Sequence, residues 1–339
     1  MRPEKHIRGL IEGSGPIPFS RFVEEALYHP DMGYYSTGRP FMARGDFYTG
    51  PSIHPIFGWT IARFLVSRGR PSPILEIGPG KGFLASDILD YLSFRHPDLY
   101  QEAQYLILEK SPVLRAQQKR LLSSHSGRVE WLERLPSSFS GVILTNEVLD
   151  AFAFDRFVKE RSGWSMMMVA LGDPFAWATG PAREDALAFL PKNVPEGLIY
   201  DLSVEALYFL SECAFSLESG YILVIDYGYP RELILSAYPQ GTLTCYYKHT
   251  PSDDPFVHVG KQDITYFLDW DLLREVAARA GLREELFASQ AEFLMSSGIH
   301  DVLSEMEGGR SFLEIMKARL AAKNLLLTFK NYRVAVWGK

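Results

Sequence analysis

Apolar positions along the chain fall into two alternating patterns. The first is a set of short unbroken runs: PILEIG (73–78), YLILE (105–109), RVEWL (128–132), GVILTN (141–146) and GYILVIDYG (220–228). Runs of this length predict strands buried on both faces. The second is helical spacing over 83–92, 111–122 and 201–217, between the runs. Ser111-Pro112 predicts an N-cap followed by proline at the first helical position. Strands alternating with helices predict an α/β fold, a Rossmann-like, doubly wound and mainly parallel sheet. After a helix at 269–280, REELFAS and NYRVAVWG are expected to close the sheet as a terminal pair antiparallel to the rest. Helical residues 290–322 lie between them.

The regions outside this alternation have their own patterns. Residues 18–30 predict a helix capped by Ser20, with Phe22, Val23, Ala26 and Leu27 on one face. Residues 30–51, rich in Pro, Gly and Tyr, predict an ordered loop, and 53–68 a second, broadly apolar helix. The expected organisation is an N-terminal helical and lid segment over 1–70, then a Rossmann-like domain over 71–339. Two insertions interrupt that domain. At about 155–198, WSMMMVAL reads as a strand pair; at about 229–266, turn formers and aromatics predict a long ordered loop.

Composition narrows the classes. Of 339 residues, 47% are hydrophobic and 22% charged, as in a folded protein. A net charge of −6 argues against nucleic acid as the main partner. Cys213 and Cys245 have no zinc-ligand spacing, so neither a disulfide framework nor a metal site is expected. No apolar run reaches a membrane-spanning length, and the N-terminus lacks the pattern of a signal or transit peptide. The simplest compartment is the cytoplasm. Oligomeric state is not legible.

The most informative segment is Gly78-Pro79-Gly80-Lys81-Gly82-Phe83, where a strand ends and a helix begins. Glycines there let backbone approach a ligand, and the helix's first amides favour an anion. A dinucleotide fingerprint, G-x-G-x-x-G/A, wants a small residue where this chain has Phe83. The spacing found, G-x-G-x-G, suits the single carboxylate of S-adenosylmethionine. The next strand ends in Glu109, placed to accept both ribose hydroxyls of an adenosine cofactor. The fourth strand ends in Asn146-Glu147, followed by Asp150, and the fifth in Asp226. Carboxylates gathered at strand ends suit a cationic nucleophile, although Asp150 also suits backbone capping. His54, His249 and His258 lie in loops and read as structural. Tyr34, Tyr35, Tyr227, Tyr246 and Tyr247 read as loop packing.

With these motifs in order, the chain resembles the MidA-type S-adenosylmethionine-dependent methyltransferases, from about residue 10 to the C-terminus. Mitochondrial members of that family assist respiratory complex I assembly by methylating an arginine of a core subunit. The resemblance rests on GDFYTGP (45–51), LEIGPGKG (75–82), LEKSPVLRAQQ (108–118), TNEVLDAF (145–152), VIDYG (224–228) and GKQDIT (260–265). It implies that Gly78, Pro79, Gly80 and Gly82 surround the methionine part of the cofactor and that Glu109 holds the ribose. It implies a lid from Gly45, Asp46, Phe47, Thr49 and Pro51, and a methyl-transfer edge at Asn146 and Glu147. The chain departs from the family pattern at Gly50, Ser52, Phe83, Ala153 and Phe267.

For an arginine acceptor in a protein substrate, a carboxylate pair aims one guanidinium nitrogen at the methyl group. Glu147 is the first candidate and Asp150 the second, with Asp226 and Asp46 behind them. The alternative is a non-catalytic cofactor-binding assembly factor for a respiratory or other complex. A dinucleotide oxidoreductase is disfavoured by Phe83.

Overall fold

The computed structural model describes residues 3–36, 50–69, 73–248, 250–308 and 311–339. The chain forms two compact units. The first comprises Met1–Phe47, Leu149–Leu210 and Gly228–Val276; the second comprises Tyr48–Val148, Ser211–Tyr227 and Ala277–Lys339.

The second unit carries the doubly wound sheet. From edge to edge its strands run Arg283–Ser289, Tyr332–Gly338, Leu217–Tyr229, Phe139–Asn146, Ile74–Ile77, Tyr105–Leu108 and Val129–Leu132. The last five are mutually parallel, with Ile74 opposite both Tyr105 and Val142, and Val224 opposite Thr145. All four residues of Ile74–Ile77 are buried, as an apolar run covered on both faces requires. The helices Ile56–Ser67 and Phe83–Arg95, with Gln290–Ser296 and Ile299–Glu307, contribute to one apolar core around Ile88, Leu223, Phe293 and Val334. Ser111 caps Pro112–Leu121 by accepting from the Leu114 amide, with proline at the first position as predicted.

The terminal pair differs from expectation. Only Tyr332–Gly338 opposes its neighbours; Arg283–Ser289 is antiparallel to that strand and therefore runs with Leu217–Tyr229. The intervening helices return the chain across the sheet, which reverses the last strand alone.

The first unit is built on antiparallel sheet. Gly163–Leu171 pairs with Phe175–Pro181, Asp155–Glu160 and Ile17–Pro18, and Asp155–Glu160 also pairs with Ile199–Leu202. Phe19, Phe22, Phe154, Phe175, Trp177 and Phe256 form a connected aromatic core. The helix Pro3–Ser14 lies outside the predicted elements. It buries Ile7 and Ile11 at helical spacing, but Gly9 and Gly13 lower its intrinsic propensity.

Two further expectations are corrected here. Ser20 does not cap Phe19–Tyr28: the N-cap is Pro18, and the Ser20 amide donates instead to Asp155 Oδ1 at 2.8 Å. A carboxylate 135 residues away satisfies the helix end in place of a local hydroxyl. The stretch 229–266 is not a loop throughout. It contains the helix Arg231–Ala237 and a three-stranded sheet of Thr250–Ser252, Thr244–Tyr247 and Asp263–Thr265, whose central strand supplies the pairing that β-rich aromatic sequence favours. Among the described residues, no helix is long and apolar enough to cross a membrane.

Candidate functional site

In the second unit the strand Ile74–Ile77 ends in a turn held by backbone bonds. Gly78 N–H donates to Leu108 C=O at 2.9 Å and Gly82 N–H to Pro79 C=O at 2.8 Å. Gly78, Gly80 and Gly82 have φ of +60°, +55° and +87°, the left-handed region that glycine enters without steric cost. Gly82 is the N-cap of Phe83–Arg95 and provides no side-chain cap, so the helix's first amides keep capacity for an anion. A Cβ on Gly78 would meet Val148 Cγ2 at 3.3 Å, and one on Gly82 would meet Gln118 Cγ at 3.2 Å. Phe83 is 37% exposed, so the side chain that spoils a dinucleotide fingerprint lies at the surface.

Glu109 follows the neighbouring strand Tyr105–Leu108. Its carboxylate accepts from Ser111 N–H at 2.8 Å and from Gln118 Nε2 at 3.2 Å. Burial raises its pKa, opposed by those two hydrogen bonds. Below it, Glu76 is fully buried, accepts from the Tyr105 hydroxyl at 2.7 Å and is pushed up to about 8 by burial. Glu76, Gln118 and Trp131 lie outside the sequence prediction. Gln118 carries a readable signal, since Leu114 and Gln118 are the buried i, i+4 pair of their helix.

At the end of Phe139–Asn146, Glu147 adopts φ +54°, rare for a residue with a side chain. Its amide donates to Ile225 C=O at 2.9 Å. Asn146 Nδ2 donates to its Oε1 at 3.2 Å and the Tyr332 hydroxyl to its Oε2 at 3.0 Å. Asp226 is fully buried and accepts from the Val148 and Tyr227 amides at 3.2 and 2.9 Å, a backbone-bracing role.

Gly78, Pro79, Gly80, Gly82, Glu109, Asn146 and Glu147 thus all lie in the second unit, at or just beyond the carboxyl ends of its parallel strands. Asp150 belongs to the first unit, where the Thr265 hydroxyl approaches its Oδ2 at 3.4 Å. In that unit Tyr35 donates to Asp263 Oδ1 at 2.7 Å, and burial followed by the Asp263 charge raises its pKa. Asp46, Phe47, Thr49 and Gly45 lie outside the described residues, as does His249. Pro51 sits in the short helix Gly50–Ile53, and a Cβ on Gly50 would meet the Phe57 ring at 3.1 Å, which accounts for glycine there. His54 accepts from the Ile56 amide through Nδ1 at 3.1 Å, and His258 stacks on Tyr247 at 3.9 Å.

His6, Glu25 and His29 offer three ligand atoms within 4.8 Å of one another. These groups already have partners: Glu25 is shared by His6 and Arg21, and His29 Nδ1 accepts from the Asp31 amide.

A glycine turn at a helix N-terminus, with an acid ending the adjacent parallel strand, is the arrangement of a nucleoside-cofactor sheet. Residues 57–287 match the family of S-adenosyl-L-methionine-dependent methyltransferases, and the chain belongs to that family. Its cofactor is S-adenosylmethionine. The residues present fit it: three positive-φ glycines lead into a helix N-terminus with no side-chain cap, whose amides suit a carboxylate, and the Glu109 carboxylate retains acceptor capacity beyond its bonds from Ser111 and Gln118.

A protein from Burkholderia thailandensis solved bound to S-adenosyl-homocysteine superposes with a TM-score of 0.89 at 31% identity, covering 99% of this chain and 92% of that one. The mitochondrial protein arginine methyltransferase NDUFAF7 homolog of Drosophila melanogaster is 28% identical over 318 residues, 82% of this chain and 70% of the relative. The Mus musculus protein arginine methyltransferase NDUFAF7 is 26% identical, over 80% of this chain and 69% of its own length. These relatives correct the expected compartment: the fly, mouse, zebrafish and Xenopus tropicalis proteins are all mitochondrial, not cytoplasmic. The N-terminal pattern of this chain had no power to decide that.

Proposed function

We propose that this methyltransferase modifies an arginine side chain of a protein, and that Glu147 grips the guanidinium. The carrying observation is Glu147 itself, a carboxylate at a strand end in a left-handed conformation, with Asn146 and Tyr332 on its two oxygens. Such strain costs about 1–3 kcal/mol and persists where the surroundings enforce it, most often at functional positions. Two mitochondrial relatives named as protein arginine methyltransferases support the choice of acceptor.

In this reading the glycine turn and the helix N-terminus bind the cofactor's amino-acid tail, and Glu109 binds the ribose hydroxyls. When bound, S-adenosylmethionine supplies the electrophilic methyl group. Guanidinium stays protonated throughout the ordinary pH range and presents a planar fork of donors. Glu147 accepts from that fork, orients one nitrogen and takes up the proton that nitrogen gives up on methylation, while Asn146 and Tyr332 fix the carboxylate's rotamer.

The test is transfer of labelled methyl from S-adenosylmethionine to arginine-containing peptides, with lysine-substituted peptides as controls and mass spectrometry to locate the label. Methylarginine is expected. Glu147→Gln should lower turnover by about a hundredfold or more while keeping S-adenosylhomocysteine affinity within about threefold, since the loss is confined to acceptor orientation. Label on another residue type would refute the acceptor, and unchanged turnover would remove Glu147.

A further inference from the structure

We propose that Gln118 is a positioning residue that ties the two halves of the cofactor cradle, the glycine turn and the ribose-holding acid, into one rigid unit. The inference rests on the reading of Glu109 as the ribose acid.

Gln118 is fully buried in the helix Pro112–Leu121, yet every polar atom of its side chain is used. Its Nε2 donates to Gly80 C=O at 2.7 Å and to Glu109 Oε2 at 3.2 Å. Its Oε1 accepts from Trp131 Nε1 at 3.0 Å. Indole N–H only donates, whereas a peptide carbonyl and a carboxylate only accept. The amide therefore has a single orientation that satisfies all three neighbours, and a flip would oppose donor to donor and acceptor to acceptor. Trp131 lies on the strand Val129–Leu132, with the Lys119 ammonium 5.4 Å from its ring.

The stem of Gln118 is equally committed. Gly82 has no Cβ where one would press on Gln118 Cγ, so the third glycine of the run makes room for this side chain as well as for the turn. Gly80 and Glu109 follow two neighbouring strands of the parallel sheet and Trp131 lies on the next, and Gln118 bonds to all three. No backbone bond joins Gly80 to Glu109 among those described. The backbone joins the two strand ends one step earlier, through Gly78 N–H and Leu108 C=O, and the Gln118 amide extends that tie outward to the Gly80 carbonyl and the Glu109 carboxylate.

The test uses the full chain and calorimetric titration with two probes. S-adenosylhomocysteine spans both subsites; 5′-methylthioadenosine lacks the amino-acid tail. Gln118→Leu keeps volume and removes all three bonds. It should weaken S-adenosylhomocysteine by roughly tenfold or more, from loss of a charge-assisted bond and misalignment. Methylthioadenosine should weaken by a clearly smaller factor. Trp131→Phe keeps Gln118 but removes the donor that sets its orientation, and should reproduce the same inequality at roughly a few-fold. It also decides the matter if Gln118→Leu fails to fold. Equal losses for both probes, or unchanged S-adenosylhomocysteine affinity in these variants, would overturn the proposal. Glu109→Gln separates the two readings. If it leaves both affinities intact, the ribose assignment fails. If it weakens them while Gln118→Leu does not, only the role of Gln118 fails.

Discussion

The two units solve the same problem, holding polar groups away from water, by opposite means. In the second unit the cradle proposed for the cofactor is largely backbone: three left-handed glycines, a helix N-terminus, and carboxylates braced by amides. In the first unit the irregular connections are held by side chains. Arg156 Nε meets Asp201 Oδ1 at 2.8 Å and its Nη2 meets Gln240 C=O at 2.6 Å, while Asp201 also accepts the Leu243 amide at 2.8 Å. Tyr200 and Arg231 converge on Asp269 at 2.5 and 2.7 Å. A site made of backbone is damaged by adding atoms. A scaffold made of buried ion pairs is damaged by removing one partner and stranding the other.

This contrast can be broken in order of expected effect. Arg156→Ala strands Asp201 in the first unit and should destabilise the protein by about 3–5 kcal/mol in urea titrations. The folded fraction should still bind S-adenosylhomocysteine; a loss of affinity in that fraction would erase the division of labour. Gly80→Val does the reverse. A branched side chain at φ +55° strains the turn and fills the cradle, so affinity should fall about a hundredfold with the fold retained. Calorimetry showing undiminished affinity would contradict the placement of the tail.

A third effect concerns pH. Burial pushes Glu76 and Asp87 up to about 8 in the folded second unit, from ordinary carboxyl values of 4.5 and 3.8. Between those limits the native state holds protons that the unfolded chain has released, so these groups' stabilisation is lost as pH rises. Melting temperature should therefore decline from pH 5 towards about pH 8 and level above it. Glu76→Gln keeps an acceptor for the Tyr105 hydroxyl and should flatten part of that decline. A variant as steep as the wild type would exclude Glu76 as a source.

The contrast also explains what could be read in advance. The core strands are visible because Ile74–Ile77 and its neighbours are short apolar runs, and burial on both faces leaves no other pattern. The glycine turn and Glu109 are visible because they lie at a strand end, where local chemistry is decisive. The sheet in 244–265 is hidden among turn formers, and the helix Pro3–Ser14 among glycines. Ser20 satisfies every local rule for a cap, yet a distant carboxylate takes its place. Asp150 reads as a neighbour of Glu147, but its described partner Thr265 comes from far along the chain.

What the sequence alone determined is the parallel sheet, the sharp glycine turn and the acid beside it, because periodicity and φ restrictions act within a few residues. Tertiary structure decided which polar side chains brace which others: Gln118 between Gly80 and Glu109, Tyr332 on Glu147, Asp155 on Ser20. Buried polar atoms take whichever partner the folded chain brings within about 3 Å, and sequence distance does not restrict that choice.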